Sequence, residues 1–242
     1  MPHKYLAFDI ETAKILPDNS GSLFDHRPLG ITCAATWCND MPTADTFHSK
    51  SEDGTPIPQM TVQDLTTFIG HLKNKVNAGY TVLTHNGLGF DFDILAEESG
   101  QVEDCRDLAL GHIDMMFHFF CGKGFPIGLN AAAQAIGASK PENVDGSLAP
   151  QLWRDGDHQT VLDYVAQDCR LTLDIAEASD RTKTISWITK KGARSSFGLP
   201  DGWLTVREVL ELPLPDTSWM DNAWPRSKFT DWLGMENIPA PS

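Results

Sequence analysis

Positive charge is scarce over most of this sequence. Residues 1–180 hold 11 lysines and arginines against 26 acids, and residues 181–242 hold 8 against 7, within a formal net charge of −14. Proteins grip nucleic acid in bulk when lysine and arginine displace counterions from phosphates, so the acidic first segment cannot hold a strand that way. Most of these acids read as a solvated surface that aids solubility. No apolar run approaches the roughly 20 residues that a bilayer span requires. Met1-Pro2-His3-Lys4-Tyr5 leads into a short run ending at Asp9 without the apolar stretch of a signal peptide. The five cysteines (33, 38, 105, 121 and 169) include no CxxC pair and fit neither a zinc knuckle nor a disulfide framework. No internal repeat is visible. These absences lead us to expect a soluble, reduced, cytoplasmic protein without a membrane partner.

What is present suits a packed domain: 242 residues, of which 41% are hydrophobic and 9% aromatic. The chain pattern predicts strands over 4–10, 29–37, 43–48 and 80–84. A helix of about 17 residues is expected from Thr61, with Asp64 placed three residues on as in a capping box. Val62, Leu65, Phe68, Ile69, Leu72 and Val76 recur along it at helical spacing. Further helical patterns lie at about 90–99, 129–137 and 158–178. Strands followed by mostly helices point to an α/β fold with a mixed sheet. We expect residues 1–180 to form that domain. Five of the seven tryptophans follow residue 180, so 181–242 reads as a C-terminal extension or small accessory subdomain, with its tryptophans packed on the core.

Three groups of acids need a separate explanation. Asp9 and Glu11 close the first strand, where alternation turns Leu6, Phe8 and Ile10 one way and Ala7, Asp9 and Glu11 the other. Two carboxylates on one face of a buried strand repel each other and are costly to desolvate. An Asp-x-Glu by itself is a weak signal, because strand-end solvation accounts for most such pairs. The second group is Asn86-Gly87-Leu88-Gly89-Phe90-Asp91, where the glycines allow a tight turn or a close approach. Alone, Asp91 would also serve as the acid that a helix N-terminus favours, and Asp93 is expected to face away. The third is Tyr164 and Asp168, four residues apart and so on one helix face; a solvent-facing pair is the bland alternative. Together, four acids from two strand ends and a helix suit a hard divalent cation, Mg²⁺ or Mn²⁺, rather than zinc. Two such ions about 4 Å apart can activate water and stabilise the leaving oxygen in phosphodiester cleavage.

At these residues the sequence resembles the DEDD superfamily of 3′–5′ exonucleases, which have a ribonuclease-H-like (DnaQ-like) fold. Phe8-Asp9-Ile10-Glu11-Thr12 looks like its first motif, Asn86-x-x-x-Phe90-Asp91 its second and Tyr164-x-x-x-Asp168 its third. The tyrosine four residues before the last aspartate is the DEDDy arrangement; Asp163 stands where the histidine subgroup has its histidine. Ile113-Asp114, Leu129-Asn130, Ile136-Gly137, Lys140, Asp145-Gly146 and Leu152-Trp153 are similar to proofreading domains of family-B DNA polymerases and their free-standing relatives. The resemblance covers about residues 4–178, and the segment between Glu11 and Leu29 (Asp18, Asp25, His26, Arg27) has no counterpart in it.

The resemblance implies a five-stranded mixed sheet flanked by helices and a two-metal-ion hydrolase that removes 5′-mononucleotides from single-stranded 3′ ends, with DNA favoured over RNA. Asp9, Glu11, Asp91 and Asp168 would hold two Mg²⁺ or Mn²⁺ ions, and Tyr164 would orient the attacking water. Thr12, Asn86 and Phe90 would position the strand. A catalytically silent nucleic-acid- or protein-binding module of the same fold is the alternative. His118, His158, Cys169 and Asp174 read as structural or surface residues. Lys183, Lys190, Lys191 and Arg194 suit either a strand-contacting patch or plain surface. The acidic body leaves room for a recruiting protein and predicts weak processivity. The logarithm of strand affinity should therefore fall against the logarithm of salt with a slope shallower than about −4, the value for six neutralised phosphates. A titration from low to high salt by fluorescence anisotropy checks this.

Overall fold

The structure is a computed structural model that describes residues 3–16, 21–139 and 146–234. Asp18, Lys140 and Asp145 lie outside the described residues. The order of elements is β1 (Tyr5–Thr12), β2 (Ile31–Cys38), β3 (Asp45–His48), α1 (Val62–Asn77), β4 (Thr81–Thr84), α2 (Asp91–Ser99), α3 (Val102–Gly111), β5 (Ile113–Asp114), α4 (Met115–Lys123) and α5 (Leu129–Ala135). There follow α6 (Ala149–Arg154), α7 (His158–Thr182), β6 (Thr184–Ile188), β7 (Arg194–Gly198), α8 (Val206–Leu210) and α9 (Ser227–Thr230). Five strands form one sheet in the order β3-β2-β1-β4-β5. β1 runs antiparallel to β2 and parallel to β4, so the sheet is mixed, as expected.

The alternation read from β1 holds. Leu6, Phe8 and Ile10 enter one core with Leu65, Phe68, Ile69 and Leu72 of α1 and with Phe92 and Leu95 of α2. Tyr5 and Ala7 enter the other, with Cys33 and Ala35 of β2 and with Val161, Val165 and Cys169 of α7. Small residues on the second face let α7 lie close to the sheet. Past Ala7 the same face continues as Asp9 and Glu11, so the two acids stand where this second core ends.

The start of α1 is held as expected, with Thr61 Oγ1 accepting from the Asp64 N–H at 3.2 Å. Val62 and Val76, at the two ends of its apolar stripe, are exposed instead of buried. The stretch 102–123, to which the sequence pattern assigns no element, holds α3, α4 and a two-residue strand. α4 (Met115-Met116-Phe117-His118-Phe119-Phe120-Cys121) is buried on all sides, so it has no polar face from which a period could be read.

The C-terminal residues pack into both cores. Ile185, Trp187, Leu199 and Trp203 join the second, while Val206, Val209, Leu210, Phe229 and Leu233 join the first. Phe229 tilts against Phe117 and Phe120, with ring centroids 5.4 and 4.8 Å away. Trp219 and Trp224, in contrast, are largely exposed. Replacing Phe229 by Ala should cost about 3–5 kcal/mol, the usual range for a buried phenylalanine. Trp219→Ala should stay within about 0.5 kcal/mol. Denaturant unfolding of both variants measures the difference.

Candidate active site

The acidic end of β1 faces a cleft of about 780 Å³. It is lined by Asp9, Glu11 and Thr12 from β1, Phe90 from the turn before α2, Gly146–Leu148, and Tyr164 and Asp168 from α7. The register explains this convergence. Asp9 pairs with Ala35 of β2, and the Cys169 thiol of α7 reaches the Ala35 carbonyl at 3.4 Å. Asp168, next to Cys169, is thereby brought into the same cleft as Asp9. Tyr164, one turn earlier, is buried like Asp168 rather than turned to solvent. The Tyr164 hydroxyl lies 3.7 Å, and each Glu11 carboxylate oxygen 3.9 Å, from the point where a side chain at Gly146 would begin. The sheet register shifts between Glu11 and Thr12, and Thr12 is a buried part of the cleft lining.

Asp91 sits behind this surface, at the first position of α2. β4 pairs with β1 only through Ala7, and beyond that point the Ile10 N–H donates to Asp91 Oδ1 at 3.0 Å. The carboxylate thus takes the place of a strand partner. Burial, with Asp114 and Asp168 nearby, raises the Asp91 carboxyl to about 7. The same acids act on the thiols. Burial first, then Asp9, Asp168 and Asp91, pushes Cys169 well up, and burial with Glu11 and Asp9 does the same to Cys33. Cys169 donates to the Ala35 carbonyl, Cys33 lies in the second core and neither lines the cleft, so the candidate ligands are oxygens alone. Among the described residues no three His, Cys, Asp or Glu side chains are close enough, as they stand, to hold a metal ion.

Asn86 does not line the cleft. Its backbone has φ +82°, and its side-chain oxygen lies over Gly89, 3.3 Å from where a Cβ would be. The turn it opens is fixed from beneath by two residues the sequence reading did not single out for a role. Asp114 accepts from the N–H groups of Asn86 (3.0 Å), Leu88 (2.9 Å) and Phe117 (3.0 Å), which ties the turn to the start of α4. His112 is buried, with Nδ1 2.5 Å from the Ala109 carbonyl and Nε2 3.0 Å from the Thr84 hydroxyl. Because a carbonyl only accepts, Nδ1 carries the proton and Nε2 accepts from Thr84. The Thr84 oxygen in turn accepts from the Gly87 N–H at 3.0 Å. Any Cβ at Gly87 would stand 2.4 Å from that oxygen, which is the close approach the glycine permits. The signal for Asp114 was legible: an acid directly before an apolar helical run is a helix cap.

The remaining sequence candidates fall where structural roles place them. Asp93 binds Arg27, and Asp174 pairs with Arg170 at 2.6 Å. His118 Nδ1 accepts from the Leu204 N–H at 3.3 Å, and burial lowers its pKa to about 4.

Residues 31–179 match the sequence pattern of the RNase_H superfamily, and the chain belongs to that superfamily. Its members are usually nucleases, hydrolases that typically use divalent metal ions. The matched stretch begins at β2, so Asp9, Glu11 and Thr12 precede it. The chain is also similar to a solved family B DNA polymerase from the hyperthermophilic archaeon Pyrobaculum calidifontis, with a TM-score of 0.52 and 20% identity. The likeness covers 74% of this chain and 25% of the polymerase, and at that identity it shows the fold alone. Comparison with curated proteins gives no match. No helix among the described residues is long and apolar enough to cross a membrane.

The raised Asp91 carboxyl has a consequence for stability. A carboxyl whose pKa is higher in the folded than in the unfolded chain adds stability below the unfolded value of about 4, and loses it as pH rises through about 7. Asp91→Asn keeps an acceptor for Ile10 without the charge. Its melting temperature, measured without divalent ions, should gain roughly 5 °C or more on the wild type between pH 5 and pH 8.

Proposed function

We propose that this chain is a DEDDy-type 3′–5′ exonuclease acting on single-stranded ends, DNA in preference to RNA. The observation that carries this reading is the single cleft shared by Asp9, Glu11, Tyr164 and Asp168, with the buried Asp91 carboxylate at its back. A carboxyl pushed up to about 7 first by burial and then by Asp114 and Asp168 is a group that a cation would relieve, and an all-oxygen donor set suits Mg²⁺ or Mn²⁺. Asp9, Glu11, Asp91 and Asp168 would hold the ions, closing on them from their present separation. Bound there, the ions would supply activation of a water molecule and neutralisation of the leaving oxygen.

The chain's own groups do the rest. Tyr164 orients the water through its hydroxyl, since a phenol is a poor base near neutral pH. Thr12, at the irregular end of β1, meets the terminal sugar. Phe90 holds the strand at the cleft wall, and Asn86 shapes the turn that presents it. The placement of these groups on β1, on α2 and the hydrogen-bonded turn before it, and on α7 keeps the attack geometry fixed.

The alternative, a binding module without catalysis, draws on the absence of a closed three-acid cluster among the described residues. One experiment separates the two. Linear single strands labelled at the 5′ or the 3′ end, and a circular strand, are incubated with Mn²⁺ or EDTA beside Asp9→Ala. The exonuclease gives a ladder from the 5′ label, free mononucleotide from the 3′ label and an intact circle. EDTA should abolish cleavage and Asp9→Ala should reduce it by at least about 100-fold, the scale for losing a preorganised electrostatic element. Equal inactivity of wild type and variant on DNA and RNA would favour the binding module.

A further inference from the structure

The segment between β1 and β2 has no counterpart in the motif pattern, yet it is built against the cleft. A short 3-10 turn, Leu23–His26, is capped by Ser22, whose Oγ accepts from the Phe24 N–H at 3.3 Å. Lys14 Nζ donates to the carbonyls of His26 (2.5 Å) and Pro28 (3.3 Å) and closes the turn at its base. Arg27 fastens it to α2, bonding both oxygens of Asp93 and reaching Glu97 at 3.3 Å. The Arg27 guanidinium also lies over the Phe24 ring, 4.9 Å from its centroid. Phe24 meets Phe90, a cleft-lining residue, edge-on at 6.1 Å and 66°.

Despite these attachments Phe24 remains 39% exposed, as does Ile15, and Leu148 is 49% exposed. Ile15 and Leu148 line the cleft, so its mouth is apolar while its floor is acidic. Lys14 is the one lysine or arginine among its described lining residues, and it is engaged in closing the turn. A strand entering here finds little to hold its phosphates. Phe24 is not itself in the cleft lining, but its contact with Phe90 sets an exposed ring at the edge of the cleft, and ring surface holds bases without needing charge.

We propose that Phe24, held by Arg27 against Phe90, is a stacking platform for a base near the 3′ end of the single strand. The proposal rests on the nuclease reading for its substrate but concerns binding, not cleavage. Arg27 serves as a positioning residue: its two carboxylate partners fix the guanidinium, and the guanidinium covers part of the ring. Because every base offers a π-face, recognition here carries little sequence preference. It also makes strand binding less sensitive to salt than phosphate contacts would.

The test is equilibrium binding of a fluorescent single strand by the full chain, with Ca²⁺ in place of Mg²⁺ or Mn²⁺, measured by anisotropy. Phe24→Ala should weaken binding by about 5- to 100-fold, the range for removing one stacked base contact. Phe24→Trp should retain it, which distinguishes loss of stacking from damage to the fold. A strand whose last two 3′ nucleotides are abasic should bind the wild type as weakly as Phe24→Ala binds the intact strand, and the two losses should not add. Equal affinity of wild type and Phe24→Ala for the intact strand would overturn the proposal. So would fully additive losses. A wild type that binds in this way but never cuts would defeat the nuclease reading alone, whereas a wild type that binds no strand would defeat both.

Discussion

A hydrogen bond from the Ile10 N–H to the Asp91 carboxylate joins the two parts of the chain that form the cleft. It occurs where β4 has stopped pairing with β1, so without Asp91 a buried backbone donor would lose its partner. The same bond fixes the start of α2 and, through it, the turn that carries Phe90. Asp114 and the Thr84–His112 pair hold that turn from below. The mouth of the cleft inherits its position from this framework, because Arg27 anchors the 21–28 segment to α2.

The framework also concentrates like charge. Asp91 and Asp114 are buried together, and Asp168 adds to the field that raises the Asp91 carboxyl. A fold that served stability alone would gain by putting a neutral acceptor in the place of the Asp91 carboxylate, which keeps the bond to Ile10 without the charge. Retention of this arrangement at the end of a well-packed core makes sense if a cation belongs there, and membership of the RNase_H superfamily points the same way. The acidity of the whole chain then ceases to conflict with a nucleic-acid substrate. Positive charge would be supplied at the cleft floor by ions, and the strand held at the mouth by ring surface.

Much of this was legible in the sequence for specific reasons. Alternation in Leu6–Glu11 gave both faces of β1 correctly, since one-residue steps across a strand leave no ambiguity. The four-residue spacing of Tyr164 and Asp168 identified a shared helix face, although not its burial. Asn86–Asp91 announced a tight turn, and the space between Gly87 and Thr84 shows why glycine stands there. What escaped was of two kinds. α4 is apolar all round, and β5 is too short to show a period. Asp114 is readable as a helix cap, but its hold on Asn86 and Leu88, like that of His112 on Thr84, spans more than 20 residues, which spacing does not reveal. The placement of residues 21–28 likewise depends on Arg27 meeting Asp93 and Glu97 across the fold.

The role we propose for the acids that converge at this cleft is to hold hard cations. Anomalous diffraction from crystals soaked in Mn²⁺ tests it directly. Two peaks about 3.5–4 Å apart are expected in the cleft, bounded by the carboxylates of Asp9, Glu11, Asp91 and Asp168. A cleft without anomalous density at saturating Mn²⁺, in crystals that diffract as well as unsoaked ones, would contradict it.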